Sequence, residues 1–258
     1  TGASGFIGKY LAKEFLKINY KVYGSFRKNK PKIKNKNFTS LKINLTKKFT
    51  IPKDVNSIFH LAADSPENVN GSKLINNNIK STKNLIFSMK DKKIKNFYFF
   101  SSIAVYERFK NKKILLKESL KNLSPKSNYS KSKYISEKLI IKMIDKKINV
   151  LVFRLPAVVA HDSFLSAFYN IKKKIKNNRL LTIMNPNQKF NGIIHVADLI
   201  KIIIVIFKKK TQSKLNIINI ASQNPEKFKD VIMQMYKLLK KTKKYDLKNH
   251  QFTNLISI

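Results

Sequence analysis

Three of the chain's six glycines fall within its first eight residues, Thr1-Gly2-Ala3-Ser4-Gly5-Phe6-Ile7-Gly8. This spacing constrains the fold more than any other feature of the sequence. Gly2 permits a tight turn, Gly5 lets backbone N–H groups approach a bound anion, and Gly8 lets a following helix pack closely. A turn of this kind joins a parallel strand to a helix and aims the positive helix end at a pyrophosphate. Gly2, Ser4, Gly5, Phe6, Ile7 and Gly8 are therefore candidate dinucleotide-binding residues.

Such a turn requires an apolar strand immediately ahead of it, and the sequence starts at Thr1. The expectation is that a central strand of about five to eight residues is missing from the chain. Beyond the turn, apolar runs rich in Ile, Val and Phe alternate with longer stretches of helical period, which predicts βαβ units. Strands are predicted over 20–26, 39–43, 56–62, 94–101 and 148–155, and helices over 6–18, 72–90 and 127–146. After Pro156 the pattern predicts a helix over 163–177, strands over 181–184 and 190–196, a helix over 198–209, a strand over 214–220 and a helix over 225–241. The fold class is α/β: a Rossmann-type, doubly wound parallel sheet with a smaller C-terminal substrate lobe. Residues 1–156 are expected to form a dinucleotide-binding domain, truncated at its N-terminus, and residues 157–258 a mixed lobe that contributes late strands to the sheet. The apolar run 199–207 is interrupted by Lys201 and is too short to cross about 30 Å of hydrocarbon, which needs roughly 20 residues. It predicts a buried helix, and no membrane segment is expected.

The formal charge of +40 suggests a polyanion partner at first sight. Fifty of the 54 basic residues are Lys, however, and they are spread over nearly every predicted helix and loop instead of forming a stripe with Arg and aromatics. Lys, Asn and Ile are together abundant, as AT-rich codons would make them. No specific nucleic-acid partner is expected. The chain has no Cys, which excludes disulfides and thiolate metal sites and fits a reducing compartment; the expected location is cytoplasmic.

Tyr129 and Lys133 stand four residues apart on a predicted helix, so both project from one face. A free Tyr is a poor base near neutrality, and a neighbouring ammonium favours its ionised form. Lowering its pKa by about three units requires roughly 4 kcal/mol. Five of the ten Tyr residues have Lys at this spacing, so context must choose among them. Tyr129 follows Ser102 by 27 residues, and Ser102 closes the apolar run 94–100 at the carboxyl end of a predicted parallel strand, where ligand sites lie. Ser102, Tyr129 and Lys133 are the candidate catalytic residues.

With these pieces in order, the chain resembles the extended short-chain dehydrogenase/reductases, the NAD(P)-dependent epimerase/dehydratase group. The resemblance rests on Thr1–Gly8, Phe59-His60-Leu61-Ala62-Ala63, Asn78 in its Asn-Ile-Lys-Ser-Thr setting, Ser101-Ser102 through Tyr106, Tyr129–Lys133 with Glu137, Arg154-Leu155-Pro156, and Ile193–Asp198. It implies that Tyr129 is the acid/base, that Lys133 binds the nicotinamide ribose, that Ser102 orients a sugar-type substrate, and that Leu61, Ala62, Ala63 and Asn78 border the cofactor. A homodimer is compatible with it.

Several positions depart from the family pattern. The Asp-Glu pair of family dehydratases is Ile103-Ala104 here, which disfavours dehydration. Glu107 replaces a usual Gly, Ala160-His161 a Gly-Pro, and Asn191-Gly192 an Arg-Asp that commonly meets substrate phosphates. At the end of the second strand an NAD enzyme usually presents Asp to the ribose, whereas this chain has Phe26-Arg27-Lys28. Arg27 fits a 2′-phosphate, so NADP is favoured over NAD. Asn44 falls where an adenine contact is common. His60, His161 and His195 lack metal-ligand spacing, and no metal site is expected.

The preferred reading is an NAD(P)-dependent epimerase or reductase moving hydride at a carbinol or ketone carbon of a sugar or nucleotide-sugar. The alternative is a non-catalytic dinucleotide-binding regulatory protein on the same fold.

Overall fold

The glycine turn runs directly into α1 (Phe6–Lys17), whose Leu11, Ala12, Phe15 and Leu16 form a buried stripe at helical spacing. Asn19, in the left-handed region at φ 62°, ends the helix, and its N–H donates to the Leu16 carbonyl. The chain is described here from a computed structural model covering residues 1–66, 69, 71–109, 114–160, 167–209 and 215–248.

Two parallel strands follow, β1 (Val22–Phe26) and β2 (Phe38–Lys42), which pair with each other. The main sheet is built from β3 (Ser57–His60), β4 (Asn96–Ser102), β5 (Asn149–Leu155) and the later β10 (Leu215–Asn219), all parallel, in the order β10-β5-β4-β3. Between them run α2 (Gly71–Ser88) and α3 (Asn128–Met143), with a 3₁₀ segment over Ile103–Phe109 directly after β4. Five consecutive residues of β4, Phe97–Ser101, are buried, and so are Val150–Leu155 of β5. Strands covered on both faces have this pattern. One face packs against α1 and the later α5 (Val196–Lys208) through Phe15, Tyr98, Phe153 and Leu199, and the other packs against α2 and α3 through Leu85, Phe97, Phe99 and Ile140. The fold is therefore the α/β parallel-sheet architecture read from the alternating pattern.

After Pro156 come β6 (Ala157–Val159), α4 (Ala167–Lys176), β7 (Leu181–Met184), β8 (Lys189–Phe190), β9 (Ile193–His195), α5 (Val196–Lys208), β10 (Leu215–Asn219), β11 (Glu226–Lys227), α6 (Phe228–Leu238) and β12 (Tyr245–Lys248). α5 and β10 return to the main sheet, whereas α4, α6 and β7 share a separate apolar cluster of Ile175, Ile183, Ile232 and Tyr236. The strand predicted over 190–196 is two short strands, and residue 196 already opens α5. The physical reason is a cap: the His195 ring Nδ1 accepts from the Ala197 N–H at 3.3 Å. The helix predicted from 225 starts at Phe228, because Glu226 and Lys227 pair with β8. Residues 163–166 of the predicted helix 163–177, and residue 214 of the predicted strand, lie outside the described residues. Among those described, no helix is long and apolar enough to cross a membrane.

One buried group couples folding to pH. Burial, with Lys133 adding repulsion, lowers the His60 pKa well below 6.5. As pH falls through about 6.5 the unfolded chain therefore binds a proton that the folded one does not, and stability is lost. The melting temperature is expected to fall when pH is lowered from about 8 to about 5. An unchanged melting temperature over that range would contradict the burial of this imidazole.

Candidate functional site

The turn shows why glycine is required at two of its positions. Gly2 has φ +73°, and a Cβ there would meet the Ala62 nitrogen at 2.9 Å. A Cβ on Gly8 would stand 2.1 Å from the Gly2 carbonyl oxygen, so α1 rests on the turn itself. Gly5 is the N-cap of α1 and contributes no side chain to cover the first-turn N–H groups. Directly above lies a cavity of about 220 Å³ bordered by Gly2, Ser4 and Gly5 from the turn, Phe26 and Arg27 from the end of β1, and Asn44 after β2. Leu61, Ala62, Ala63 and Asn78 complete it on the β3 side. This backbone cradle with its polar rim fits a dinucleotide pyrophosphate and adenosine. Phe6 and Ile7 instead pack their side chains on the core, leaving only their backbone to face a ligand.

Asp64, which sequence reasoning missed, sits in the same cavity. Its carboxylate pairs with Arg27 at 3.2 Å and accepts from Asn77 Nδ2 at 2.7 Å. Asn78 holds it by two backbone contacts, accepting from the Asp64 N–H at 2.7 Å and donating to the Asp64 carbonyl at 3.0 Å. The same Asn78 amide donates to Ser132 Oγ on α3 at 3.0 Å. Asn44 accepts from the Thr46 N–H and hydroxyl at 3.1 and 2.9 Å, which fixes the local turn.

Helix α3 carries Tyr129 and Lys133. Ser132 and Ser136 are small enough to let it pack closely on α2, where Ser132 meets Asn78 and Ser136 accepts from Thr82 at 3.2 Å. His60 extends this buried polar chain from Thr82 (3.1 Å) to the Thr1 hydroxyl (2.9 Å). Lys133 is buried and donates to the Phe100 carbonyl of β4 at 2.8 Å, with its ammonium 5.8 Å from the centre of the Tyr129 ring. Burial lowers its pKa to about 8, against an opposing attraction from Glu137. Ser102, two residues beyond Phe100, opens onto a second cavity of about 660 Å³ between the main sheet and the C-terminal lobe, with Phe168, Phe190 and Phe228 on its far side. Tyr129 is half-buried; it and Lys133 border neither cavity.

Two carboxylates anchor α3. Glu107 reaches across to its N-terminus, accepting from the Lys126 and Ser127 N–H groups at 2.7 and 2.8 Å and from the Ser127 and Ser130 hydroxyls at 2.7 Å. Desolvation alone would raise the Glu107 pKa, but these hydrogen bonds outweigh it and hold the carboxyl below its usual range. Glu137, with 2% of its side chain exposed, forms a two-pronged pair with Arg154 of β5, at 3.1 and 2.8 Å, and accepts from Ser101 of β4. Arg154 also donates to the Tyr106 hydroxyl at 2.7 Å, and Tyr106 donates to Asn219 of β10 at 2.9 Å. Among the described residues no three His, Cys, Asp or Glu side chains converge as a metal site, and His161 lies outside them.

The model of the NAD-dependent epimerase/dehydratase family matches residues 1–221. The chain belongs to that family. A relative from Brachyspira hyodysenteriae, ADP-L-glycero-D-manno-heptose-6-epimerase, is 26% identical over 93% of this chain and 80% of that protein. The structure is similar to UDP-glucuronic acid 4-epimerase from Bacillus cereus, solved in complex with NAD (TM-score 0.79, 23% identity, all of this chain and 86% of that one). It is also similar to dTDP-glucose 4,6-dehydratase from Bacillus anthracis in complex with NAD (TM-score 0.77, 20% identity, all of this chain and 85% of that one). At these identities the two solved structures establish the shared fold, and the family match supports an NAD-dependent epimerase or oxidoreductase.

In this family member the Arg154–Glu137 pair sets the position of α3. Arg154→Met would leave Glu137 buried without its partner and is expected to cost about 3–5 kcal/mol in urea unfolding. A loss below about 1 kcal/mol would show that the pair does not hold the helix.

Proposed function

We propose that the protein is an NAD(P)-dependent epimerase, acting at a carbinol carbon of a sugar or nucleotide-linked sugar, with Tyr129 as its acid/base. The observation that carries this reading is Lys133. Its bond to the Phe100 carbonyl fixes an ammonium beside Tyr129 at the carboxyl end of β4, where Ser102 stands. With a pKa of about 8, Lys133 is mostly protonated at neutral pH and favours the ionised phenol.

In the proposed sequence Tyr129 takes the proton of the substrate hydroxyl while Ser102 Oγ hydrogen-bonds the same oxygen. A nicotinamide held there would supply the acceptor, and later the donor, of hydride. Tyr129 would return its proton to the same oxygen once the carbon's configuration is inverted. Net reduction uses the same residues and differs in exchanging cofactor with solution at each turnover. Elimination of water is disfavoured, because Ile103 and Ala104 border the Ser102 cavity without a carboxyl group. Glu107, which also borders it, is committed to the α3 N-terminus. The sugar portion is assigned to this cavity, whose Phe168, Phe190 and Phe228 suit the apolar face of a ring.

Arg27 favours NADP by offering a guanidinium to a 2′-phosphate, and its pairing with Asp64 limits that preference. The relatives' structures named above were solved with NAD.

Tyr129→Phe is expected to lower kcat by about 10²–10⁴-fold while dinucleotide affinity stays within about threefold. Unchanged turnover would reject the acid/base assignment. Arg27→Ala should weaken NADP by roughly 10–100-fold and NAD far less, measured by calorimetry. Equal losses would remove the preference for NADP.

A further inference from the structure

Two oppositely charged side chains border the glycine-turn cavity. Among the described residues around it, Arg27 is the one cation and Asp64 the one anion, in a chain of 54 basic and 14 acidic residues. They pair with each other at 3.2 Å, so that the residue following β1 is joined to the segment following β3. Any ligand group that needs Arg27 therefore finds it already engaged.

The two partners are held very differently. The Asp64 side chain is 10% exposed, its carboxylate also accepts from Asn77 Nδ2 at 2.7 Å, and its main chain makes two hydrogen bonds to the Asn78 amide. The Arg27 side chain is 47% exposed and reaches the carboxylate through one nitrogen. Asp64 is the fixed member and Arg27 the movable one. An ion pair half in water is weak enough to be exchanged for a stronger one. A 2′-phosphate, with about 1.5–2 negative charges at neutral pH, offers a guanidinium a two-pronged partner, whereas a 2′-hydroxyl needs no counter-charge. An intact pair meets either ribose as a neutral unit, and Arg27 alone meets it as a cation.

We propose that Asp64 is a specificity-determining residue of this cavity: its carboxylate holds Arg27 as a 2′-phosphate would, so that NAD binds with the pair intact and NADP only by drawing Arg27 away from Asp64. The preference between the two dinucleotides is then set by a residue outside the β1 end that would contact the ribose. The proposal rests on the dinucleotide reading of the cavity, and no step of the reaction at Tyr129 enters it.

The test measures NAD and NADP affinities by calorimetry for the 258-residue chain and for Asp64→Asn, which keeps the side chain's size and leaves both main-chain bonds to Asn78 in place. The substitution is expected to tighten NADP by about tenfold or more while NAD stays within about threefold. The adenosine ends alone, 2′,5′-ADP and 5′-ADP, should show the same split. In an Arg27→Ala background the gain from Asp64→Asn should fall below about threefold, because no guanidinium is left to release. An unchanged ratio of NADP to NAD affinity in Asp64→Asn would overturn the proposal, as would equal weakening of both. A full gain that persists without Arg27 would overturn the exchange, since Asp64 would then act by repulsion alone. Failure of all these compounds to bind any form would instead reject the dinucleotide reading of the cavity, and the proposal with it.

Discussion

The site is organised around one buried ion pair. Arg154 and Glu137 are 3% and 2% exposed, and each has left water for an environment where an unpaired charge is costly. Their interaction therefore fixes geometry more than it adds stability. Arg154 lies on β5, Glu137 on α3, Ser101 on β4 and Tyr106 in the 3₁₀ segment, and all four meet at this pair. Moving α3 relative to the sheet breaks several charge-assisted bonds at once. Tyr129 and Lys133, two turns and one turn upstream of Glu137 on the same helix, inherit its position. In a chain with 14 acidic residues against 54 basic ones, burying a carboxylate against Arg also settles which cation that carboxylate will meet.

A second buried chain ties the other end of the site together. Thr1, His60, Thr82 and Ser136 connect the glycine turn to β3, α2 and α3 by hydroxyl and imidazole contacts, while Asp64, Asn78 and Ser132 run parallel to them. Small polar side chains allow α2 and α3 to approach closely and then satisfy one another in the space that remains. The glycine-turn cradle and the Tyr129 helix are thereby tied together.

Much of the architecture was legible in the sequence because it follows from period and turn chemistry. The apolar strands β4 and β5 and the glycine turn declare themselves locally, whereas the Tyr129–Lys133 spacing recurs at four other tyrosines and is singled out only by its distance from Ser102. What was not legible depends on partners far away in the chain. Glu107 reads as a missing glycine, yet it caps α3 from twenty residues away. Arg27 reads as a lone cation, but Asp64, 37 residues on, already holds it. β6, with three residues, and β12, with four, are too short to be read from period alone, and they pair with β9 and β7. Val196 belongs to a helix because His195 turns its ring back onto the backbone, a cap that an apolar run conceals.

The account's central claim is that the glycine-turn cavity and the Tyr129–Lys133 face of α3 serve one bound dinucleotide. A crystal structure with NAD or NADP bound tests it most directly. The account predicts the pyrophosphate on the α1 N-terminus, the nicotinamide ribose within hydrogen-bond reach of Lys133, and the ring between Ser102 and Tyr129. A dinucleotide whose nicotinamide lies away from α3, with Lys133 still bonded only to the Phe100 carbonyl, would contradict it.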